Sequence, residues 1–425
     1  MALPEVIEVV PLERAVQAEI TVPGSKSITN RALVLAALGP GETTLQGALW
    51  SEDTQVMVEC LQDLGFMVNV APDPEEICNR TITLYGKSGT VPRGGTAGQP
   101  LELFVGNAGT AARFLAALVC LGEGIYRLHG APRMHERPQA ALFKALRELG
   151  YRIDSQNDRL PALIYGAGPR AGKCRVSIAE SSQFASALLL CGKVGGWQIE
   201  ITGENAEESP YVAMTAQLQS IFAGGSFRIE PDASSGSYFW AANQFTSGEP
   251  PVRHQVTVSH WPASGWQIDA QFPKYLPLPP GLSRREHLGD SIMTAIVLAP
   301  FADKPILFSD LGRLRVQECE RVKALRTELT RCGARVEEQG DSLTVHPSQL
   351  HGATIETYED HRMAMCFATL GLKIPGIKIN NPACVKKTFP DFFQKLAAAR
   401  PHGLGASLLD ARSRHRLGPD ELFAT

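Results

Sequence analysis

A chain of 425 residues has room for two or three domains, each with a substantial core. Its 44% hydrophobic and 20% charged content is that of an ordinary folded protein, and a formal charge of −3 excludes a general role in coating nucleic acid. The longest apolar runs, near residues 32–38 and 115–121, fall short of the roughly 18 residues that would mark a membrane span, so no membrane association is expected.

The first residues carry Glu5, Glu8 and Glu13 and lack the charged-then-apolar pattern of a leader, which points to the cytoplasm. Nine scattered cysteines without a CxxC pair read as reduced thiols, and nothing in their spacing suggests a metal site.

Along the chain one unit recurs. The first occurrence is SKSITNRALVLAAL from Ser25: a tip of small, hydroxylated or charged residues, then a helix that is apolar nearly all round. It is followed by DTQVMVECLQDLGFMVNV, an amphipathic helix stopped by glycine before an alternating strand. GNAGTAARFLAAL from Gly106 repeats the buried helix, and RPQAALFKALRELGYRI repeats the amphipathic one. SSQFASALLL from Ser181, ASSGSYFWAA from Ala233, GDSIMTAIVLA from Gly289 and DHRMAMCFATLGL from Asp360 complete six tips, with ECERVKALRTELTRCGARVEE as a further helix–Gly–strand run. The repeat predicts an α/β chain of about six similar units, three to a domain.

A buried helix begins with unsatisfied N–H groups and the positive end of its dipole, so several such tips facing one cleft would form an anion site. Cations gather at the same places. Lys26 and Arg31 flank the first tip, Arg113 follows the glycine turn of the second, and Arg133 and Arg137 lie in APRMHERP. Arg321 stands one helical turn beyond Glu318, Arg362 begins the last apolar helix, and Lys386 and Lys387 precede Phe389. A cation at a helix start opposes the dipole, so Arg113 and Arg362 suggest a bound anion that offsets the cost. GNAGTA lacks the GxGxxG spacing of a dinucleotide fold, and no GxxxxGK[ST] sequence occurs.

Taken in order, VPGSKSITNRA, LFVGNAGTAARFL, PRMHERP, SSQF, DASSGSYF, GDSIMT, RVQECERV, YEDHRMAM and KKTFPDFF resemble the motifs of the enolpyruvyl transferase family over about residues 15–396. GSKS, GNAGTA, DHRMAM and KTFPD look closer to the branch acting on shikimate 3-phosphate than to the one acting on UDP-N-acetylglucosamine.

The resemblance implies a two-domain inside-out α/β barrel, each domain built of about three βαβαββ units with helix N-termini facing an interdomain cleft. It places residues 1–23 and 231–400 in one domain and 24–230 in the other, with 401–425 as a tail, either mobile or a short docking helix. It implies transfer of an enolpyruvyl group from phosphoenolpyruvate to shikimate 3-phosphate, on the route to chorismate and the aromatic amino acids. No cofactor or metal is needed, and the protein is expected to act as a monomer on small substrates.

The resemblance also assigns residues. Lys26, Gly109, Arg137, Gln183, Arg321, His361, Arg362 and Lys387 match phosphoenolpyruvate contacts. Lys26, Ser27, Arg31, Ser181, Ser182, Gln183, Tyr211, Asp290, Arg313 and Gln317 match positions around the acceptor. Asp290 and Glu318 are the expected proton-transfer pair, with Lys26 as a further proton donor.

Some positions depart from the family. Glu208, beside Ser209, stands in place of a serine, Gln317 in place of a lysine, Arg313 in place of an asparagine and Phe114 in place of a proline. An alternative acceptor with a hydroxyl group is therefore the second reading. The tips at Ser182, Ser234 and Ser291 stand only 52 and 57 residues apart, so units three and four are expected to lack a hairpin, after Phe222 and after Tyr275. The stretch GEPPVRHQVTVSHWPASGWQ and the prolines near Pro279 suggest irregular loops there.

Overall fold

A computed structural model describes residues 3–203, 210–247 and 252–424. The chain divides into two compact units: a split unit, Met1–Pro23 with Pro231–Thr425, and a continuous unit, Gly24–Glu230.

In the continuous unit, one repeat is complete in sequence order. The strand Leu101–Phe104, the helix Gly109–Leu118 and the strand Glu123–His129 form a parallel β–α–β element. The helix Ala140–Glu148 and the antiparallel hairpin Arg152–Ser155/Ala162–Ala167 then finish a four-stranded sheet, with Ala162–Ala167 beside Glu123–His129. A second repeat takes its first strand from the far end of the unit. Gly225–Arg228 pairs in parallel with Pro40–Leu49, which the hairpin Met67–Pro72/Asn79–Lys87 extends. The third repeat is reduced to two parallel strands, Gly172–Ser177 and Trp197–Thr202, with the helix Gln183–Gly195 between them. The helix Pro210–Ile221 leads directly to Gly225–Arg228, so the hairpin expected to be missing after Phe222 is missing.

The split unit repeats this plan. Gly281–Ser283, Ile306–Ser309, Ser342–Val345 and Val336–Gln339 form a complete sheet in that order, with the helices Ile292–Leu298 and Arg321–Arg331 as its connections. Gln17–Ile20 and Gln255–Val258 form the reduced parallel pair, joined by way of the helix Ala233–Ala242. Here the expectation of irregular structure fails at Val252–Arg253 and Gln255–Val258 and holds over 259–267, while 248–251 lie outside the described residues; the alternation in QVTV is enough for a strand once Gln17–Ile20 offers an edge. After the 3-10 turn Ile268–Tyr275 the chain goes to Gly281–Ser283 without a hairpin, as expected.

The last repeat is closed by both ends of the chain. Thr354–Ile355 and Ile377–Asn380 run parallel, flanking the helix His361–Gly371. Val6–Val9 then pairs antiparallel with Ile377–Asn380, and Leu408–Asp410 pairs antiparallel with Val6–Val9. The tail is thus an edge strand, not a mobile segment or a docking helix. Burial of Leu404, Leu408, Leu417 and Leu422 anchors it, and it covers an edge that Val6–Val9 would otherwise expose.

Every residue of the helices Gly109–Leu118, Ile292–Leu298 and His361–Gly371 is buried, which confines their polar chemistry to their starts. At the passage between units, Ser25 N–H donates to Glu230 O at 2.7 Å, and Asp232 N–H donates to Pro23 O at 2.8 Å. Gly24 is required there, because a Cβ at this position would lie 1.9 Å from the carbonyl oxygen of Gly47. No helix among the described residues is long and apolar enough to cross a membrane.

Candidate active site

In the continuous unit the tips bring together most of the residues singled out in the sequence. Lys26 opens the helix Lys26–Leu38 and places its Nζ 2.9 Å from Asp53 Oδ2, at the start of the helix Glu52–Asp63. One turn further, Arg31 is buried and donates from Nε to Thr215 Oγ1 at 2.7 Å and from Nη1 to Ser27 O at 2.8 Å. Its Nη2 reaches Ser186 Oγ at 3.0 Å and Tyr211 O at 3.3 Å. Arg31 thus collects Ser27 and Tyr211 through their backbones, and its guanidinium lies 5.3 Å from the centre of the Phe114 ring. Burial pulls the Arg31 guanidinium down to about 10, with Tyr211 acting in the opposite sense.

The second and third tips are joined. Gln183 Nε2 donates to Thr110 Oγ1 at 3.2 Å, and Ser181 Oγ accepts from the Gln183 N–H at 3.2 Å, beside the N-cap Ser182. Arg137 Nη1 donates to Asn107 O at 3.0 Å, while Arg113 donates to Gly109 O at 3.0 Å and to Pro138 O at 2.7 Å. The two arginines crowd Gly109: a Cβ there would lie 2.5 Å from Arg137 Nη2 and 2.7 Å from Arg113 Nη1. Arg113 sits a full turn inside its helix, not at the head that the glycine turn suggested, so its charge bears less on the dipole. Arg133 pairs with Glu136 on an exposed surface.

The split unit gathers a denser charged cluster. Asp360 caps the helix His361–Gly371 by accepting from the Arg362 N–H at 2.8 Å. The same carboxylate takes a forked pair from Arg321, Nε to Oδ2 at 2.7 Å and Nη2 to Oδ1 at 3.2 Å. Arg321 Nη2 also meets Glu318 Oε2 at 2.8 Å, and its Nη1 donates to Gln317 Oε1. Lys387 Nζ approaches the other oxygen of Glu318 at 3.0 Å. Arg362 Nη2 donates to Ser234 Oγ at 3.0 Å and stands 3.3 Å from Asp290 Oδ2.

Asp290 is the centre of this cluster. Burial pushes its carboxyl upward, but Arg362, Arg284 and Arg321 outweigh that and hold it well below the usual range. Arg321 is likewise opposed by burial and held charged by Asp360, Glu318 and Asp290. His361 is buried at the head of its helix with Nδ1 3.8 Å from Asp360 Oδ1, and Arg313 lies on the partly exposed 3-10 turn Gly312–Val316.

The expectation that a bound anion must offset Arg362 at a helix start needs correcting. Asp360, one residue before the helix, already supplies a negative charge at the positive end of its dipole. Sequence reasoning missed Asp53, Asp360 and Arg284. The Asp-then-apolar-helix pattern of EDHRMAM was a readable cap signal for Asp360. Glu208 and Ser209 lie outside the described residues.

A family model for EPSP synthase (3-phosphoshikimate 1-carboxyvinyltransferase) matches residues 11–222 and 283–396, omitting most of the reduced repeat in the split unit. The chain is 38% identical to the 3-phosphoshikimate 1-carboxyvinyltransferase of Trichormus variabilis, over 92% of this chain and 98% of that protein. It is 37% identical to the one from Vibrio campbellii, over 90% and 97% respectively. Among solved structures, EPSP synthase from Acinetobacter baumannii shares the fold with a TM-score of 0.73 at 19% identity, covering 95% of this chain and 99% of that one. The enolpyruvyl transferase NikO from Streptomyces tendae does so at 0.68 and 15%, over 98% and 100%. With repeats, charged tips and relatives in agreement, the chain belongs to the EPSP synthase family of enolpyruvyl transferases.

Proposed function

We propose that this enzyme transfers the enolpyruvyl group of phosphoenolpyruvate to the 5-hydroxyl of shikimate 3-phosphate and releases inorganic phosphate. One observation carries the reading beyond family membership. Asp290 and Glu318 are two largely buried carboxylates in one cluster, each held by cations on both of its oxygens.

The reaction needs such a pair. The acceptor hydroxyl loses a proton as its oxygen bonds to the central carbon of the enol, and the methylene carbon gains one. Phosphate then leaves the tetrahedral intermediate as a proton departs from the new methyl group. Two carboxylates among cations can divide this acid and base work, each contributing about 100- to 10,000-fold. Lys26, Arg137, Gln183, the Gly109 backbone, Arg321, His361, Arg362 and Lys387 bind phosphoenolpyruvate in this reading. Ser27, Arg31, Ser181, Ser182, Tyr211, Arg313 and Gln317 serve the acceptor.

Arg31 supports its role through its burial, because a guanidinium held by neutral oxygens keeps its whole charge for an anion. We place the enzyme in the cytoplasm and read it as a monomer; nine free cysteines suit a reducing compartment. The test is direct: purified protein with phosphoenolpyruvate and shikimate 3-phosphate should release phosphate at a rate that saturates in both. Tight phosphoenolpyruvate binding with no release would sink the acceptor assignment.

A further inference from the structure

Arg284 has no role in any of the assignments above. It directly follows the strand Gly281–Ser283, its N–H donates to Ser309 O at 3.1 Å, and its side chain is only 7% exposed. Its Nη2 donates to Asp290 Oδ1 at 2.7 Å. Its Nε is buried without a hydrogen-bond partner among the described residues. An arginine buried with a donor unmet is a poor structural choice unless its charge is needed where it points.

The groups facing Asp290 fall into two sets. On Oδ2 are Arg362 at 3.3 Å and Arg321 at 3.9 Å, from the heads of the helices His361–Gly371 and Arg321–Arg331. On Oδ1 is Arg284, from the loop that leads to Asp290 itself. One like charge also bears on the site: Asp269, on the turn Ile268–Tyr275, accepts from the Ser291 N–H at 2.8 Å, and burial and Asp290 together raise its pKa. Both cations on Oδ2 are assigned to phosphoenolpyruvate. When that polyanion engages them, it adds negative charge beside Asp290 and shares the two arginines that kept the carboxylate ionised. A base must be unprotonated and in place at that moment.

We propose that Arg284 is a positioning residue for Asp290, fixing Oδ1 and keeping the carboxylate ionised while phosphoenolpyruvate occupies Arg321 and Arg362. The proposal rests on the phosphoenolpyruvate assignment of those two arginines. An opposite charge within about 4–6 Å lowers a carboxylate pKa by about 1–3 units, so Arg284 alone can decide the protonation of Asp290 in the substrate complex.

The test is the pH dependence of kcat with both substrates saturating, which reports groups in the bound complex. Arg284→Gln should move the acid limb upward by about one pH unit while the KM for phosphoenolpyruvate changes less than about threefold. Arg284→Lys keeps the charge but not the planar guanidinium that sets a donor on Oδ1, so its limb should stay within about 0.3 unit of the parent while kcat falls several-fold. If Arg284→Gln does not fold, the lysine variant decides: unchanged kcat overturns the proposal. An active parent whose acid limb is unmoved in a folded Arg284→Gln protein also overturns it and leaves the proposed reaction standing. A parent that releases no phosphate at all overturns the reaction and this inference together.

Discussion

The two units are built from the same repeat, yet they hold the arginines of their tips in opposite ways, while Lys26 in the continuous unit is paired with Asp53. In the continuous unit, Arg31, Arg113 and Arg137 give their described hydrogen bonds to carbonyl and hydroxyl oxygens. In the split unit, Arg284, Arg321, Arg362 and Lys387 are interleaved with Asp290, Glu318 and Asp360. Neutral partners fix a guanidinium without cancelling its charge, which suits the capture of an anion. Carboxylate partners cancel much of the charge, but they create groups whose proton affinity can be set by their neighbours, which suits proton transfer. The same fold can therefore be specialised by the choice of oxygen at each tip.

Five substitutions put this contrast to the test. The largest effect is expected from Asp360→Ala, which takes the shared carboxylate from the split unit and leaves the buried Arg321 without its forked partner, with only Glu318 and Asp290 to offset its charge. Loss of a buried pair of this kind costs about 3–5 kcal/mol, to be read from denaturant unfolding, and a loss below about 1 kcal/mol would refute the central place given to Asp360. Next, Glu318→Gln and Lys26→Ala should each lower turnover at least about 100-fold with circular dichroism unchanged. Near-normal turnover in either would remove that residue from the chemistry.

In the continuous unit, Gly109→Ala would push its methyl into Arg137 and Arg113, which can yield because they meet it with side-chain ends. Stability should hold while the KM for phosphoenolpyruvate rises about tenfold, and an unchanged KM would mean that Arg137 does not bind it.

The smallest effect concerns Asp269, whose carboxyl is raised by burial and by Asp290. The unfolded chain ionises this group in the ordinary aspartate range, while the folded one still holds the proton. The stability it contributes is therefore complete in acid and is lost as pH rises through the folded value. Asp269→Asn should gain thermal stability over the parent as pH rises above about 4, with no gain below it. A constant difference across pH would show that folding leaves the proton affinity of Asp269 unchanged.

Much of the fold and of the site was readable from local pattern. Apolar helices with hydroxylated starts gave the repeat, and the short spacing of Ser182, Ser234 and Ser291 gave the missing hairpins. Non-local pairings stayed hidden. Gln255–Val258 is a strand only because Gln17–Ile20 lies beside it, and Leu408–Asp410 pairs with residues some 400 positions earlier. Arg412 and Arg414 reach back to Glu5 and Glu8 in the same way. Arg284 was hidden for another reason: in SRRE it looks like any surface charge, and only the fold turns one of its two arginines inward to Asp290.

The sheet closed by both chain ends has a consequence for how the protein is made. The continuous unit contains all its strands once Arg228 has left the ribosome, and it can fold while synthesis goes on. The split unit cannot. Its Val6–Val9 strand emerges first and waits for Ile377–Asn380 and then Leu408–Asp410, so for most of translation an apolar strand stands without neighbours. A nascent chain stalled shortly after residue 380 would carry one finished half beside a sheet still open at its edge, a natural target for a chaperone.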